Sequence, residues 1–447
     1  LKALFIKYYK DLFLGKRLFA ALGLCVSLFL FTFFLPWLGD LPYICFGVLI
    51  LLIFIDLALL FRSRGIFLRR DLPERLSNGD DNELSIYVES FFTFPVSIGI
   101  IDEIPFQFQK RDLWFKSSLK AGEHKTITYA LRPVKRGEYI FGQTRLYVKS
   151  PLGLISRRFN FGKEHTVPVY PSFLQLRKYE LMAISNRLTE IGIKKIRRVG
   201  HSMEFDQVKN YVQGDDYRTI NWKATARKGD LMVNSFVDEK AQHIYCIIDK
   251  SRAMKMPFEG LSLMDYAINA SLVLSNVALL KDDRAGLITL SEKIGSIVPA
   301  DRRAGQLGKI MEVLYKEKTQ YLESNIEALN LAVRKVIRQR SLIIFFTNYE
   351  SMSALHRQLP FLKSMAKSHL LLIVFFENTE VRSMSEIPAQ NVEGIYIKTI
   401  AEKFVYEKKL MVKELAKHGI LSILTSPEKL TVNVVNRYLA IKAQQKI

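Results

Sequence analysis

From Leu18 to Leu38 the chain carries about twenty consecutive residues without a charge, enough at about 1.5 Å per helical residue to cross a hydrocarbon layer about 30 Å thick. The turn Pro36-Trp37-Leu38-Gly39-Asp40-Leu41-Pro42 separates this run from a second, Tyr43 to Phe61, interrupted only by Asp56. Residues 18–61 are therefore expected to form a two-span transmembrane hairpin. Lys2, Lys7, Lys10, Lys16 and Arg17 precede it and Arg62, Arg64, Arg69 and Arg70 follow it, whereas the turn carries Asp40 alone. The positive-inside rule places the basic N-terminus, residues 1–17, and everything after Arg62 in the cytoplasm. A cleaved signal peptide is disfavoured, because the apolar stretch is too long, shows no small-residue cleavage site and is followed at once by a second span. Asp56 precedes Arg62 by about one and a half helical turns. It is expected to pair with Arg62 or snorkel to the interface rather than act as an intramembrane functional carboxylate.

Beyond the hairpin the hydrophobic period shortens. Over residues 62–171 short alternating runs, Leu84 to Val88, Val96 to Ile101, His124 to Leu131, Glu138 to Phe141, Thr144 to Val148 and Thr166 to Tyr170, are separated by turn chemistry such as Asn78-Gly79-Asp80-Asp81 and Lys120-Ala121-Gly122-Glu123. This pattern predicts a small β-sandwich, usually a spacer or interaction module. Residues 172–240 form a connector containing an unusual motif. From 241 to 447, strand-like Ile244 to Ile248, Ala285 to Leu290, Leu342 to Phe346, Leu370 to Phe375 and Leu421 to Leu424 alternate with helical patterns over Met264 to Leu280, Gln306 to Tyr315, Ile326 to Arg338, Met352 to Met365, Ile400 to His418 and Leu430 to Ala443. Alternation of that kind predicts an α/β sheet with its ligand side beyond the carboxyl ends of the strands.

A hydrophobic share of 49% over 447 residues excludes intrinsic disorder and gives room for about three folded units. The excess of 65 Lys and Arg over 44 Asp and Glu, a formal +21, is explained in part by the membrane flanks. Anionic lipid headgroups attract such residues as well as nucleic acid does, so nucleic-acid binding ranks last. Three cysteines cannot build a disulfide framework, and a reducing compartment fits.

The motif reads Gly200-His201-Ser202-Met203-Glu204-Phe205, then Tyr211-Val212-Gln213-Gly214-Asp215-Asp216-Tyr217-Arg218-Thr219-Ile220-Asn221-Trp222-Lys223-Ala224-Thr225-Ala226-Arg227. If Trp222 and Ile220 bury, the charges of Asp215, Asp216, Arg218, Lys223 and Arg227 are partly desolvated and must pair with one another. An ionic clasp between domains is the expectation, with partner docking as the other non-catalytic role. A hydrolase using Asp215, Asp216 and His201 is the enzymatic alternative. His201-Ser202 is no nucleophile elbow, because Glu204 occupies the last glycine position of Gly-x-Ser-x-Gly.

With Glu204, Tyr211, Gly214, Asp215, Asp216, Arg218, Asn221, Trp222, Ala226 and Arg227 in this order, and Gly229-Asp230-Leu231-Met232-Val233 following, the string resembles the hallmark of the bacterial family known as domain of unknown function 58, DUF58. Arg136-Gly137-x-Tyr139 and Ser150-Pro151-Leu152-Gly153-Leu154 extend the resemblance. It implies a multi-pass protein of the bacterial cytoplasmic membrane and a C-terminal von Willebrand factor A-like, Rossmann-like domain. The implied partner is a MoxR-type AAA+ ATPase, often alongside other von Willebrand A-domain membrane proteins. No enzymatic chemistry is implied.

Von Willebrand A domains hold a metal-ion-dependent adhesion site whose Asp-x-Ser-x-Ser loop presents oxygens to Mg²⁺. Here that loop reads Asp249-Lys250-Ser251-Arg252-Ala253, with Ala253 in place of the second serine. Ser324 resembles the loop threonine, and Asn348 stands where a further Asp is expected. Lys250 and Arg252 add positive charge that opposes a divalent cation. The expectation is a degenerate site without a cofactor that still shapes a protein-docking surface, Mg²⁺ at Asp249, Ser251, Ser324 and Asn348 being the other reading. The sequence thus points to a membrane-anchored cytosolic scaffold or adaptor and not to an enzyme.

Overall fold

The computed structural model of the chain describes residues 10–34, 37, 39–62, 65–110, 113–176, 203–213, 215, 217–238, 241–319, 321–389 and 391–444. Two compact units result, Leu1–Tyr170 and Pro171–Ile447.

In the first unit a short strand β1 (Leu12–Leu14) leads into helices α1 (Lys16–Phe34) and α2 (Leu41–Arg62). Strands β2 (Ile66–Asp71), β3 (Leu76–Ser77), β4 (Asn82–Ser90), β5 (Val96–Asp102), β6 (Trp114–Leu119), β7 (His124–Leu131), β8 (Gly137–Phe141), β9 (Thr144–Lys149), β10 (Ile155–Phe161) and β11 (His165–Tyr170) follow. They pair as three sheets, β1-β10-β9-β5-β6, β2-β4-β7 and β3-β11-β8. Period-two alternation sends Ile86 and Val88 of β4, Ile98 and Ile100 of β5 and Leu146 and Val148 of β9 into one core. Each such fully buried aliphatic side chain contributes about 1.5–3 kcal/mol. The six strands expected from alternation are all present. The others, β1, β2, β3, β6 and β10, were not expected, and β2 and β10 show why: Ile66-Phe67-Leu68-Arg69-Arg70-Asp71 and Ile155-Ser156-Arg157-Arg158-Phe159 look like charged flanks.

Leu18, Cys25, Leu49 and Leu60 of α1 and α2 join that same core. Most other apolar side chains of the two helices are exposed among the described residues, including Phe19, Leu24 and Leu30 of α1 and Ile44, Leu51 and Phe54 of α2. Within α2, Leu41–Phe61 is long and apolar enough to cross a membrane, with 17% of that stretch buried. Helix α1 carries no charge from Leu18 onward.

The base of this helix pair is gripped by the Ser150–Ile155 loop. Arg17 Nη1 donates to Pro151 O at 2.9 Å and Leu152 O at 3.2 Å, and Gly15 N–H donates to Leu154 O at 2.8 Å. Gly15 has to be glycine here, since a Cβ would stand 2.4 Å from Gly153 O. Asp56 corrects an expectation. Its carboxylate is fully buried, and Oδ2 accepts the N–H groups of Leu154 at 3.0 Å and Ile155 at 2.9 Å. Two oriented backbone donors replace the water that an interfacial, snorkelling carboxylate would have kept.

In the second unit β12 (Met203–Asn210), helix α3 (Trp222–Lys228) and β13 (Met232–Asp238) make an antiparallel hairpin. The rest is an α/β sheet: β14 (His243–Asp249), the small ribbon β15 (Pro257–Phe258) and β16 (Leu261–Ser262), α4 (Leu263–Leu280), β17 (Arg284–Leu290), β18 (Ile294–Asp301), α5 (Gln306–Lys316), α6 (Ile326–Val336), β19 (Leu342–Phe346), α7 (Met352–Ser368), β20 (Leu370–Phe376), α8 (Thr379–Glu386), α9 (Val392–Lys417), β21 (Leu421–Thr425) and α10 (Leu430–Ala443). The sheet order is β18-β17-β14-β19-β20-β21. All neighbours run parallel except the edge strand β18. Ile244, Cys246 and Ile248 face α4, α5 and α10, while Tyr245 and Ile247 face α6, α7 and the C-terminal half of α9. Helix α4 is apolar enough to span a membrane, but 78% of it is buried, as a sheet-covering helix requires. Every expected strand and helix of this region is present. Unexpected are the ribbon of β15 and β16, β18, where Gly295 and Pro299 obscure the alternation, α8, and the start of α9 at Val392.

Candidate functional site

Two places in the second unit gather the residues singled out by sequence. The first is the hairpin tip. Tyr211 N–H donates to Leu231 O at 2.8 Å and Asn221 N–H to Met232 O at 2.8 Å, closing the loop onto β13. Asn221 caps α3: its Oδ1 accepts Ala224 N–H at 3.0 Å while its Nδ2 donates to Asn234 Oδ1 at 2.8 Å. Gly229, at φ 83°, ends the helix with its N–H on Thr225 O, and Thr225 Oγ1 accepts Met232 N–H at 3.0 Å. Asn221, Thr225 and Gly229 thereby fix the platform.

What the platform presents is outward. Trp222 is 70% exposed and Tyr217 69%, with Val212 and Leu231 exposed alongside and Lys223, Ala226 and Arg227 open to solvent. The Arg218 guanidinium lies over the Tyr217 ring at 5.7 Å. The expected burial of Trp222 and desolvation of its neighbours is therefore corrected, and Ile220 is only half-buried. The Asp215 carboxylate pairs with Lys209 at 2.9 Å, a residue outside the expected set, and accepts Val212 N–H at 3.0 Å. The hydrogen bond from Lys209 holds its pKa below the usual range. Glu204 pairs through its backbone with Val237 in the hairpin ladder. His201, Gly214 and Asp216 lie outside the described residues.

A desolvated ionic network does exist, in the first unit. Arg70 Nη1 meets Asp102 Oδ1 at 2.6 Å with side chains 8% and 0% exposed. Thr144 Oγ1 donates to Oδ1 at 2.9 Å, the Tyr129 hydroxyl to Oδ2, and Arg70 Nη2 to Gly142 O at 2.8 Å. Arg70 reads in the sequence as a juxtamembrane charge, and no local cue links it to Asp102.

The second place is the carboxyl edge of the α/β sheet between β14 and β19. Connections leave these two strands toward opposite sides of the sheet, so a crevice opens there. Asp249 ends β14 and is 2% exposed. Its Oδ1 accepts Ser251 N–H at 2.8 Å and the Ser324 hydroxyl at 2.6 Å, and its Oδ2 accepts the Thr347 hydroxyl at 2.7 Å. Burial pushes its pKa up, and those hydrogen bonds only partly offset the rise. The structure thus brings Asp249, Ser251 and Ser324 together as the sequence pattern proposed, and adds Thr347.

Asn348 makes different contacts. Its Nδ2 donates to Ala253 O at 3.3 Å, and its Oδ1 accepts the ammonium of Lys408 at 2.8 Å. Lys408 also donates to Tyr349 O, and burial pulls its pKa down to about 8. No sequence signal marked this lysine, because α9 carries many lysines at exposed positions. Lys250 does not oppose a cation as expected, since its ammonium is neutralised by Glu317 at 2.7 Å, both side chains being at most 10% exposed. Thr289 Oγ1 donates to the other Glu317 oxygen at 2.8 Å. Burial raises the Glu317 carboxyl, yet hydrogen bonds from Lys250, Ser296 and Thr289 outweigh it and hold the pKa below the usual range.

Comparison with known proteins places the motif. The family model "Protein of unknown function DUF58" matches residues 207–382, from within β12 to the middle of α8. A Bacillus subtilis (strain 168) protein described as "Uncharacterized protein YeaD" is 27% identical over 240 residues, covering 50% of this chain and 54% of that protein. The chain thus spans about half the length of that relative. The DUF58 resemblance rests on these two findings. Among solved structures, the conserved hypothetical protein BatB from Bacteroides thetaiotaomicron is similar over 46% of this chain and 100% of its own length, at 17% identity and a TM-score of 0.31. A PapD-like domain of human CEP192 is similar over 24% of this chain and 86% of its own, at 12% identity and a TM-score of 0.18.

Proposed function

We propose that the chain is a membrane-anchored, cytosolic protein-interaction scaffold or adaptor, working with a MoxR-type AAA+ ATPase and with other von Willebrand A-domain membrane proteins. The observation that carries the reading is the hairpin tip. Trp222 and Tyr217 stand about 70% exposed on a backbone fixed by Asn221, Thr225 and Gly229, beside exposed Arg227. Trp, Tyr and Arg are the residues that dominate binding energy at protein interfaces. A rigid platform presenting them loses little conformational entropy when a partner covers it.

Anchoring is supported by the uncovered apolar surfaces of α1 and α2, which a lipid bilayer would cover. The Lys and Arg flanks favour a cytosolic placement of both units at the bacterial cytoplasmic membrane. A von Willebrand A-like reading of the α/β region is supported by the strand order and by Asp249, Ser251, Ser324 and Thr347 meeting at one strand end. The donor set there does not fit Mg²⁺. One carboxylate is present, three donors engage its oxygens, and the position of a second carboxylate is held by Asn348 with an ammonium on its Oδ1. The scaffold reading needs no divalent cation at that edge. The hydrolase alternative built on Asp215, Asp216 and His201 gains nothing from Asp215, whose oxygens are taken by Lys209 and Val212.

Co-purification from detergent extracts of native membranes tests this. Full-length wild type is expected to recover an AAA+ ATPase identified by mass spectrometry, and Trp222→Ala to recover at most about one-tenth as much. Equal recovery by the two proteins would remove the hairpin tip as the docking element.

A further inference from the structure

Next to the β14–β19 crevice lies a cavity of about 260 Å³ beyond the ends of β19, β20 and β21. Its wall is mainly apolar, with Met256, Phe258, Leu263, Phe376 and Val405, and Lys408 of α9 lines it among them. Two of the three Lys408 N–H donors are taken by Asn348 Oδ1 and Tyr349 O. Among the described residues no carboxylate forms an ion pair with its ammonium. Glu350 acts on it only through space, and Glu377, on the same wall, is paired with Arg382 at 3.3 Å. Asn378 is engaged as the cap of α8. The cavity therefore holds one largely buried cation, 5.8 Å from the centroid of the Phe375 ring, with one N–H not taken by an oxygen and, among the described residues, no carboxylate in an ion pair with it.

A desolvated ammonium without an ion-paired carboxylate is destabilising even when neutral oxygens accept from it, and an anion brought by a ligand would relieve it. The volume is below that of a cavity holding a drug-sized ligand and suits one apolar side chain with a carboxylate attached. A polypeptide presents that combination at its C-terminus. From the cavity mouth, exposed Phe404, Ile400 and Tyr396 continue along α9, giving the preceding residues of such a chain an apolar track. We infer that this cavity binds the C-terminal apolar residue of a partner polypeptide, its side chain among Phe258, Phe376 and Val405 and its α-carboxylate accepting the open N–H of Lys408. This rests on the protein-interaction reading and names the partner's chemistry at a place separate from the hairpin tip.

The test uses the full chain in detergent and fluorescein-labelled hexapeptides ending in Leu or Phe, each as free acid and as C-terminal amide. Wild type is expected to bind the free acids about tenfold or more tightly than the amides. Lys408→Met should abolish that preference, and Val405→Asp, three residues from Lys408 on the same helix and in the same lining, should weaken the free acids by repelling them and by offering the ammonium a carboxylate in cis. If Lys408→Met does not fold, the Val405→Asp arm and the acid–amide ratio in wild type still decide. Equal binding of acids and amides, no binding of any peptide to wild type, or a preference that survives in folded Lys408→Met overturns the inference. Partner capture separates the two readings. Capture that fails in Trp222→Ala but is unchanged in Lys408→Met leaves the scaffold standing and removes the cavity's role in it. Acid-selective peptide binding without any captured partner does the reverse.

Discussion

Asp215 and Asp249 belong to the same unit, and the sequence around each suggested a site, yet their surroundings are opposite. Asp215 stays half-exposed with one lysine and one backbone N–H for company. Asp249 is enclosed, and every donor it meets comes from a different loop, at Ser251, Ser324 and Thr347. Residues contributed from several distant segments converge only if the fold is built first, so the strand-end cluster is part of the architecture. Residues contributed by one hairpin can be spared from the core, so Trp222 and Tyr217 are available to a partner. Enclosure, more than the density of charge along the chain, separates a structural polar cluster from a surface for recognition.

The strongest way to sharpen that contrast is to break the enclosed side. Glu317→Gln leaves the Lys250 ammonium buried without its counter-ion, next to a Thr289 hydroxyl that loses a charged acceptor. A loss of about 3–5 kcal/mol is expected in chemical denaturation of the second unit's transition. The effect has a sign in pH. The folded-state pKa of Glu317 lies below its ordinary 4.5, so its contribution is full above that value and disappears as pH falls through the folded pKa. The stability gap between wild type and Glu317→Gln should therefore narrow on acidification below about pH 4.5, and a gap constant down to pH 2 would break the assignment.

How far these clusters could be read in advance depends on the range of the signal. Period-two alternation in Leu84 to Val88 and the apolar runs at Leu342 to Phe346 and Leu370 to Phe375 report local burial, and strands stand there within a few residues at their ends. Asp249, Ser251 and Ser324 were legible because a short motif and a strand end fix one another's place. Lys408 was not, since only the packing of α9 against the sheet distinguishes it from the exposed Lys403 and Lys409 of the same helix. Arg70 and Asp102 pair across sheets, and Asp56 finds its donors at Leu154 and Ile155. Such non-local partners leave no periodic trace. At the hairpin the difference has another origin: the ionic clasp is conditional on burial of Trp222 and Ile220, whereas large aromatics are also common at interaction surfaces.

A smaller effect is expected where the hairpin's own framework is touched. Asn221→Ala removes the cap accepted from Ala224 and the side-chain bond to Asn234. About 1 kcal/mol of local stability is at stake, which amide hydrogen exchange of α3 would register as roughly fivefold faster opening, with the α/β sheet unchanged. Protection lost equally across β14 and β19 would mean that hairpin and sheet unfold as one, and the contrast between them would blur.

The smallest expected effect is also the most discriminating. Trp222→Ala removes a large side chain that is 70% exposed, so the unfolding free energy should change by no more than about 0.5 kcal/mol. A core tryptophan truncated in the same way would cost about 3–5 kcal/mol. A substitution silent in stability but damaging to partner recovery assigns Trp222 to recognition. One that unfolds the protein assigns it to the interior, and the comparison between the hairpin and the strand-end cluster would then collapse into two examples of the same enclosed kind.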